Sequence, residues 1–268
     1  DASLALTEAA IALAQDEFPG LDTQGVLTEI DALADKLRRR LAPDAGALQK
    51  LRLLNRYFFD ELGFAGNVND YYDPHNSYLH RVLATRRGIP VSLAVLYMEL
   101  ASQIGLSARG VGFPGHFLVK LKLHAAGEVM MDPFSGLSLS REQLDERLAP
   151  YRRRQARSGE EELPLAIFLQ PATPRDVLAR MLRNLKEIHR STGNWPALLG
   201  VLQRLVVLLP DDMGERRDRG LVLAELGRYS EAAQDLDAYL ARRPSAPDGA
   251  ALKLRAEQLR AQGRPRLH

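Results

Sequence analysis

The last third of the chain carries an internal repeat with a period of 34 residues, and no other feature restricts the fold as strongly. Three pairs of residues set this period, each pair sharing one character (glycine, aromatic or proline): Gly193 and Gly227, Trp195 and Tyr229, Pro210 and Pro244. A unit this short is a single supersecondary element, which buries its apolar face only by stacking on its neighbours. The repeat therefore predicts a stack of helix pairs.

Helical periodicity runs through the whole repeat region. We predict helices over 175–191, 195–208, 212–226, 229–242 and 247–262, the last of which caps the stack. The period, with small residues at Gly220 and Gly227 and a terminating Pro244, is typical of tetratricopeptide repeats. Residues 174–268 are therefore predicted to form an all-α tetratricopeptide-repeat domain that holds a segment of a protein or peptide partner.

Residues 1–63 are predicted to form three helices, over 3–16, 23–41 and 44–63. The first stops at the helix-breaking sequence Phe18-Pro19-Gly20, and Gly63 suits a left-handed cap at the end of the third. The second has apolar residues along one face at helical spacing. Because these helices contain no catalytic pattern, we expect them to form a shell around the core that follows.

Residues 64–150 have the pattern of an α+β core. Loop-type residues precede a short helix over 77–85 and a strongly apolar helix over 90–104, which begins with Pro90 and is closed by Gly105. Beyond it the apolar period falls to two, which predicts strands at 108–113, 116–123 and 128–132 and a turn at 124–127. A segment poor in apolar residues follows, and we assign 151–173 as a linker between domains 1–150 and 174–268.

Three residues of this core form a candidate catalytic set. Ser92 lies in the first turn of the apolar helix, where free backbone N–H groups and the helix dipole favour an anionic nucleophile or an oxyanion. His116 opens one predicted strand, and Asp132 ends the next. A hairpin at 124–127 would bring His116 and Asp132 face to face, as a general base and the carboxylate that orients it require.

The segments around these residues resemble one known family. They are RRGIPVSL (86–93), GVGFPGHFLV (110–119) and MDP (131–133), with DPHNSYL (73–79) and FPGLD (18–22) before them. In these segments the chain is similar to the bacterial SirB-type transglutaminase-like family. The resemblance implies a papain/transglutaminase-like α+β core with a helical N-terminal shell, followed by an all-α tetratricopeptide-repeat region.

The resemblance says less about activity. Active transglutaminases and papain-like peptidases have a cysteine at the helix start, paired with a histidine and an aspartate that match His116 and Asp132. This chain has Ser92 there and no cysteine at all, and a serine hydroxyl depends on a correctly placed base because it is far less acidic than a thiol. Ser92 is either a nucleophile or a helix-capping residue, and Asp132 is either an orienting carboxylate or a turn residue.

Asn76, Arg86 and Arg87 are the candidate substrate-binding residues, and capping or solvated roles are the alternative for all three. No metal or organic cofactor is predicted. The six histidines show no close pair at metal-ligand spacing. The pair Gly110 and Gly112 leads into a strand and not a helix, so it is not a phosphate-binding loop.

Composition excludes several classes of function. Without cysteine the chain has no disulfide framework, thiolate zinc site or iron–sulfur cluster. A formal net charge of +2 and short basic runs without aromatic residues argue against a nucleic-acid partner, and no apolar run is long enough to span a membrane. No signal peptide is visible, so a cytoplasmic location is expected; the first residue is not Met, and an export signal could have preceded it.

Two functions of different classes follow. One is a non-catalytic or weakly catalytic scaffold that binds a peptide or protein through its cleft or its repeat region. The other is a serine-variant amidase, peptidase or acyltransferase, in which Ser92 attacks, His116 is the general base and Asp132 orients it. Covalent trapping by a serine-directed probe distinguishes the two.

Overall fold

The N-terminal shell is helical, as the sequence predicts, in a computed structural model that describes residues 4–123, 127–158 and 163–263. The second helix starts at Thr23, where the Asp22 carboxylate accepts the N–H of Gly25 at 2.9 Å, a standard N-cap. The third helix starts at Ala47 and not at Asp44, because Gly46 is its N-cap. The elements are α1 (Leu6–Ala12) with a 3-10 turn (Leu13–Asp16), α2 (Thr23–Arg38), and α3 (Ala47–Asn55) with a π-helical extension (Arg56–Glu61).

The core packs one central helix against an antiparallel sheet. Helix α5 (Pro90–Gln103) is apolar on nearly every side and is buried from Pro90 to Tyr97 and again at Leu100 and Ala101. A 3-10 turn (Pro74–Ser77) and α4 (Leu79–Thr85) precede it. The sheet has the order β3 (Ala108–Val111), β4 (Leu118–Lys122), β5 (Glu128–Asp132) and β6 (Leu137–Leu139). This is the predicted α+β arrangement of a helix followed by an antiparallel sheet.

Strand β6 is absent from the sequence-based prediction. It has three residues, and two of them, Leu137 and Ser138, are exposed, so no alternating pattern marks it. Pairing with β5 defines it, with Leu137 opposite Asp132. The turn predicted at 124–127 lies outside the described residues except for Gly127.

A two-stranded parallel pairing connects the shell to the core. In it β1 (Ala65–Gly66) lies beside β2 (Arg87–Gly88), with Gly66 opposite Gly88. A Cβ on Gly66 would lie 2.3 Å from the ring of Phe134. Only glycine therefore lets this backbone pass the aromatic side chain.

The segment predicted as a linker, 151–173, contains two helical stretches. Helix α6 (Arg141–Ser158) extends through its first part, and α7 (Leu165–Phe168) follows. Leu165 is buried with the apolar residues of the sheet, and Phe168 and Leu169 pack against the same cluster. A few apolar residues at the end of a polar segment are enough to attach it to the core, and composition alone does not reveal this.

The chain divides into two compact units, residues 1–181 and 182–268, and the division falls within the helix Pro174–Ser191. The described residues of the second unit form helices joined by short turns. Gly220 has a structural reason to be small, because a Cβ there would lie 3.1 Å from the Cβ of Asp235 and 3.2 Å from the carbonyl oxygen of Ala232. Its helices follow the predicted repeat closely: α8 (Pro174–Ser191), α9 (Trp195–Leu208), α10 (Met213–Glu225), α11 (Tyr229–Arg242) and α12 (Gly249–Gln262).

Within the described residues, no helix combines the length and the apolar character that a membrane span requires. The predicted fold class is confirmed: an α+β core with a helical shell, followed by an all-α repeat region.

Candidate active site

Ser92 is the third residue of α5, and its hydroxyl group belongs to the helix cap. The oxygen donates to the backbone carbonyl of Asn76 at 2.6 Å and accepts the N–H of Ile89 at 3.1 Å, and the side chain is fully buried. Gly88 makes room for it, since a Cβ there would lie 2.8 Å from the hydroxyl oxygen. In this geometry the hydroxyl proton is directed to a carbonyl group and not to a base.

His116 and Asp132 lie together, as the predicted hairpin requires. His116 is in a turn two residues before β4, where Gly115 has a φ of 72° and the N–H of His116 donates to the carbonyl of Phe113 at 2.9 Å. It therefore does not open the strand as predicted. Its Nε2 lies 2.8 Å from Oδ1 of Asp132, the last residue of β5.

The electrostatics of Asp132 fix the direction of this hydrogen bond. Burial alone would raise the pKa of the carboxyl, but hydrogen bonds from the His116 ring and the Phe134 N–H (2.9 Å) hold it well below its usual range. The carboxylate is therefore ionised at neutral pH, and Nε2 of His116 must be the donor. A neutral His116 then has Nδ1 left as the nitrogen that can accept a proton or a hydrogen bond.

Arg147 completes the surroundings of Asp132, and sequence reasoning missed it. Its guanidinium donates to Oδ2 of Asp132 at 3.1 Å. Helix α6 holds it there because Leu144 and Leu148, on the same helical face, are buried among the apolar residues of the sheet. Neither position nor spacing sets Arg147 apart from the other arginines of α6, so the sequence carried no signal for it.

An aromatic surface extends from His116. We use this name for Phe134, Tyr71 and Tyr72. The ring centroids are 6.4 Å apart for His116 and Phe134, 6.0 Å for Phe134 and Tyr71, and 5.4 Å for Tyr71 and Tyr72. Tyr71 is 41% exposed and Tyr72 75% exposed. Large rings left open to solvent beside a hydrogen-bonded polar pair are a typical feature of a binding surface.

Asn76, a predicted substrate-binding residue, holds the loop that carries Tyr71. Its amide nitrogen donates to the carbonyl of Asp70 at 2.6 Å, and its amide oxygen accepts from Asn67 at 3.0 Å. Asn76 is 4% exposed, and its backbone carbonyl accepts the Ser92 hydroxyl. These contacts position the loop, and substrate binding by Asn76 stays a prediction.

Arg86 and Arg87 also have partners within the chain. Arg86 has a positive φ of 58° at the end of α4, and its guanidinium lies 4.7 Å from the centroid of the Phe64 ring. Arg87 donates to the carbonyl of Gly63 at 2.7 Å. These contacts attach β2 to the shell, and substrate binding by either arginine stays a prediction.

The described residues contain no group of three or more histidine or acidic side chains arranged to hold a metal ion. The arrangement of the described site is instead that of an oriented histidine. Asp132 orients the ring of His116, which is 21% exposed and lies beside Phe134 of the aromatic surface.

Comparison with known proteins identifies the family. The profile of the Transglutaminase-like superfamily matches residues 24–183, and that of the Tetratricopeptide repeat matches residues 185–257. No solved structure matches the chain significantly.

Curated relatives include a "UPF0162 protein" of Xylella fastidiosa (strain 9a5c), 39% identical over 248 residues, which covers 91% of this chain and 86% of the relative. A "UPF0162 protein" of Vibrio cholerae is 26% identical over 266 residues, covering 99% of this chain and 96% of the relative. A shorter stretch of 82 residues is 42% identical to "F-box only protein 21" of Mus musculus, covering 31% of this chain and 13% of that protein. The chain therefore belongs to the transglutaminase-like superfamily, within its SirB-type UPF0162 group, and carries C-terminal tetratricopeptide repeats.

Proposed function

We propose that this chain is a non-catalytic transglutaminase-like protein that binds a peptide segment of a protein partner. The observation that carries the proposal is the state of Ser92. Its hydroxyl is buried and hydrogen-bonded to Asn76 and Ile89. A nucleophile must instead reach both a base and a substrate. The sequence also contains no cysteine that could take its place.

The proposed binding surface consists of His116 and the aromatic surface. Tyrosine and phenylalanine rings supply a large, rigid contact area at a low cost in conformational entropy, which suits recognition of a peptide. Nδ1 of His116 faces away from Asp132 and can accept a peptide N–H. In this interpretation the His116–Asp132 pair, which would serve catalysis in an active enzyme, instead orients Nδ1 of His116 as a hydrogen-bond acceptor.

The alternative is a serine-variant hydrolase or acyltransferase, and the His116–Asp132 pair favours it. A histidine oriented by an ionised carboxylate is the usual arrangement of a general base. For this alternative, α5 would have to release the Ser92 hydroxyl from its cap before each reaction. That release breaks two buried hydrogen bonds, which are worth about 1 kcal/mol each.

A serine-directed fluorophosphonate probe tests the absence of catalysis. We expect labelling of the full chain to be no greater than that of the Ser92→Ala and His116→Ala variants. An adduct mapped to Ser92 by peptide mass spectrometry, and lost in His116→Ala, would establish the hydrolase instead. The Ser102→Ala variant, an exposed serine of the same helix, is the matched control.

A displayed library of random peptides tests the binding surface. We expect the wild-type chain to enrich peptides whose binding is lost in a Tyr71→Ala/Tyr72→Ala double variant. The control variant is Val207→Ala/Leu254→Ala, which removes exposed apolar side chains from the repeat unit. Equal binding by the wild type and the tyrosine variant would contradict the proposed surface.

A further inference from the structure

A cavity lies entirely within the unit of residues 182–268. Its volume is about 480 Å³, and it opens where the turn between α11 and α12 meets the start of α10. This volume is in the range of pockets that bind small ligands or a few peptide residues. Neither the proposed function nor the His116–Asp132 pair involves it.

The cavity carries an excess of positive charge. Three arginines line it, Arg217, Arg242 and Arg243, against one acidic residue, Asp212. Arg217 is held in place by Asp218 at 2.8 Å and by Asp248 at 3.0 Å. The guanidinium group of Arg217 is therefore fixed in position, and Arg242 and Arg243 lie beside it.

Arg242 and Arg243 differ from Arg217 in having no partner. Both residues are exposed, and within the described part of the chain neither side chain makes a hydrogen bond or an ion pair. Most of the other arginines in this unit are neutralised by carboxylates: Arg183, Arg190, Arg216, Arg219, Arg228 and Arg260. Two adjacent unpaired arginines beside a cavity provide charge for an anionic ligand, since guanidinium groups bind carboxylates in a bidentate manner.

The other residues that line the cavity favour one class of anionic ligand, a peptide carboxylate, over a nucleic acid. Tyr239, Pro244 and Pro247 give the cavity an apolar wall next to the arginines. Asp212 is already paired with Arg183 at 2.7 Å. A peptide can bring one carboxylate to the unpaired arginines and an apolar side chain to the wall, whereas phosphate groups use the arginines alone. The mixed lining therefore favours a peptide over a nucleic acid.

We propose that this cavity binds an acidic segment of a protein partner. A carboxylate of that segment pairs with Arg242 and Arg243, and a neighbouring apolar side chain packs on Tyr239 and the two prolines. The inference rests on the proposed function only in requiring a protein partner. It uses residues of the other unit, so the tests of the His116 surface can fail without affecting it.

Fluorescence anisotropy with a labelled peptide of alternating aspartate and leucine tests the proposal on the full chain. We expect the wild-type chain to bind the peptide. The Arg242→Gln/Arg243→Gln variant should bind it with an affinity at least about tenfold lower. Binding should weaken as salt is added, because the charges are near the surface. The matched control is Lys253→Gln/Arg255→Gln, which removes the same charge from α12 outside the cavity and should bind like the wild type.

Three results would overturn the proposal. The first is equal binding by the wild type and the Arg242→Gln/Arg243→Gln variant, or no binding by either. The second is equal binding of a peptide in which asparagine replaces aspartate, which would remove the role of charge. The third is tighter, arginine-dependent binding of a labelled oligothymidylate or of inorganic phosphate, which would make this a phosphate site. The unchanged melting temperature expected of the variant excludes misfolding as an explanation, since neither side chain has a partner to lose.

Discussion

Replacing Ser92 by alanine is the most direct way to measure the structural role of this residue. The substitution removes a 2.6 Å hydrogen bond to the Asn76 carbonyl and leaves the buried N–H of Ile89 without its 3.1 Å acceptor. A lost cap costs about 0.5–2 kcal/mol, and an unsatisfied buried group costs about 1–3 kcal/mol. Ile89 keeps a longer bond of 3.4 Å to the same carbonyl, which reduces the loss. We therefore expect the free energy of unfolding to fall by about 2 kcal/mol.

Urea denaturation followed by far-ultraviolet circular dichroism measures this change, with two transitions allowed in the fit because the chain has two compact units. The Ser102→Ala control lies in the same helix but is exposed, and it should stay within about 0.5 kcal/mol of the wild type. If Ser92→Ala is as stable as this control, the hydroxyl does not cap α5 in solution. The argument against a nucleophilic Ser92 would then fail with it.

Three further predictions concern the same core. Ser92→Cys introduces the only cysteine of the chain, and burial should raise the pKa of its thiol, so alkylation should be slower than that of a model thiol. Asp132→Asn should make the free energy of unfolding depend less on pH in acid. The pKa of the Asp132 carboxyl is depressed in the folded state, so the carboxylate stabilises the protein above its unfolded pKa of about 3.9. This contribution is lost as the pH falls below that value. Gly66→Ala should destabilise by about 1–3 kcal/mol, because its Cβ would meet the Phe134 ring at 2.3 Å.

Each of these predictions has a specific contradiction. Fast alkylation of Ser92→Cys with a depressed pKa, reversed by His116→Ala, would indicate a competent nucleophile site. Equal acid dependence of unfolding in Asp132→Asn and the wild type would mean that the carboxylate titrates normally. Gly112→Ala is the control for Gly66→Ala because a Cβ there meets no atom within 4 Å, and equal stability of the two variants would exclude the close contact.

The repeat region was predictable because its information is local. Glycine, aromatic and proline residues recur with one period. In the structure each of these residues lies at a helix boundary or at a close contact between helices. Gly220 is an example: the sequence marks it as a small repeat residue, and the structure gives the reason in the 3.1 Å approach to Asp235. The positions of α9 to α12 therefore follow from the chain itself.

The candidate site was predictable only in part. His116 lies two residues before β4 and Asp132 ends the neighbouring strand β5, so the pairing of these strands brings the two side chains together, and the sequence indicates that pairing. Arg147 reaches Asp132 from α6 because of how that helix packs on the sheet, and no spacing rule gives this. The hydrogen bonds of the Asn76 amide were not predictable, because its partners, the backbone of Asp70 and the side chain of Asn67, lie in a loop whose path the sequence does not fix.

The sequence by itself determined the fold class, the repeat region, the absence of a thiol and the His116–Asp132 pair, because these depend on periodicity, composition and adjacent strands. Only the tertiary structure decided what the hydroxyl of Ser92 does. A serine in the first turn of a helix is compatible with a nucleophile and with a cap. The cap is favoured by the carbonyl of Asn76, sixteen residues earlier in the chain, which packing brings to 2.6 Å from the hydroxyl. Which group accepts the hydroxyl proton depends on such distances. Distances between separate segments of the chain are set by packing.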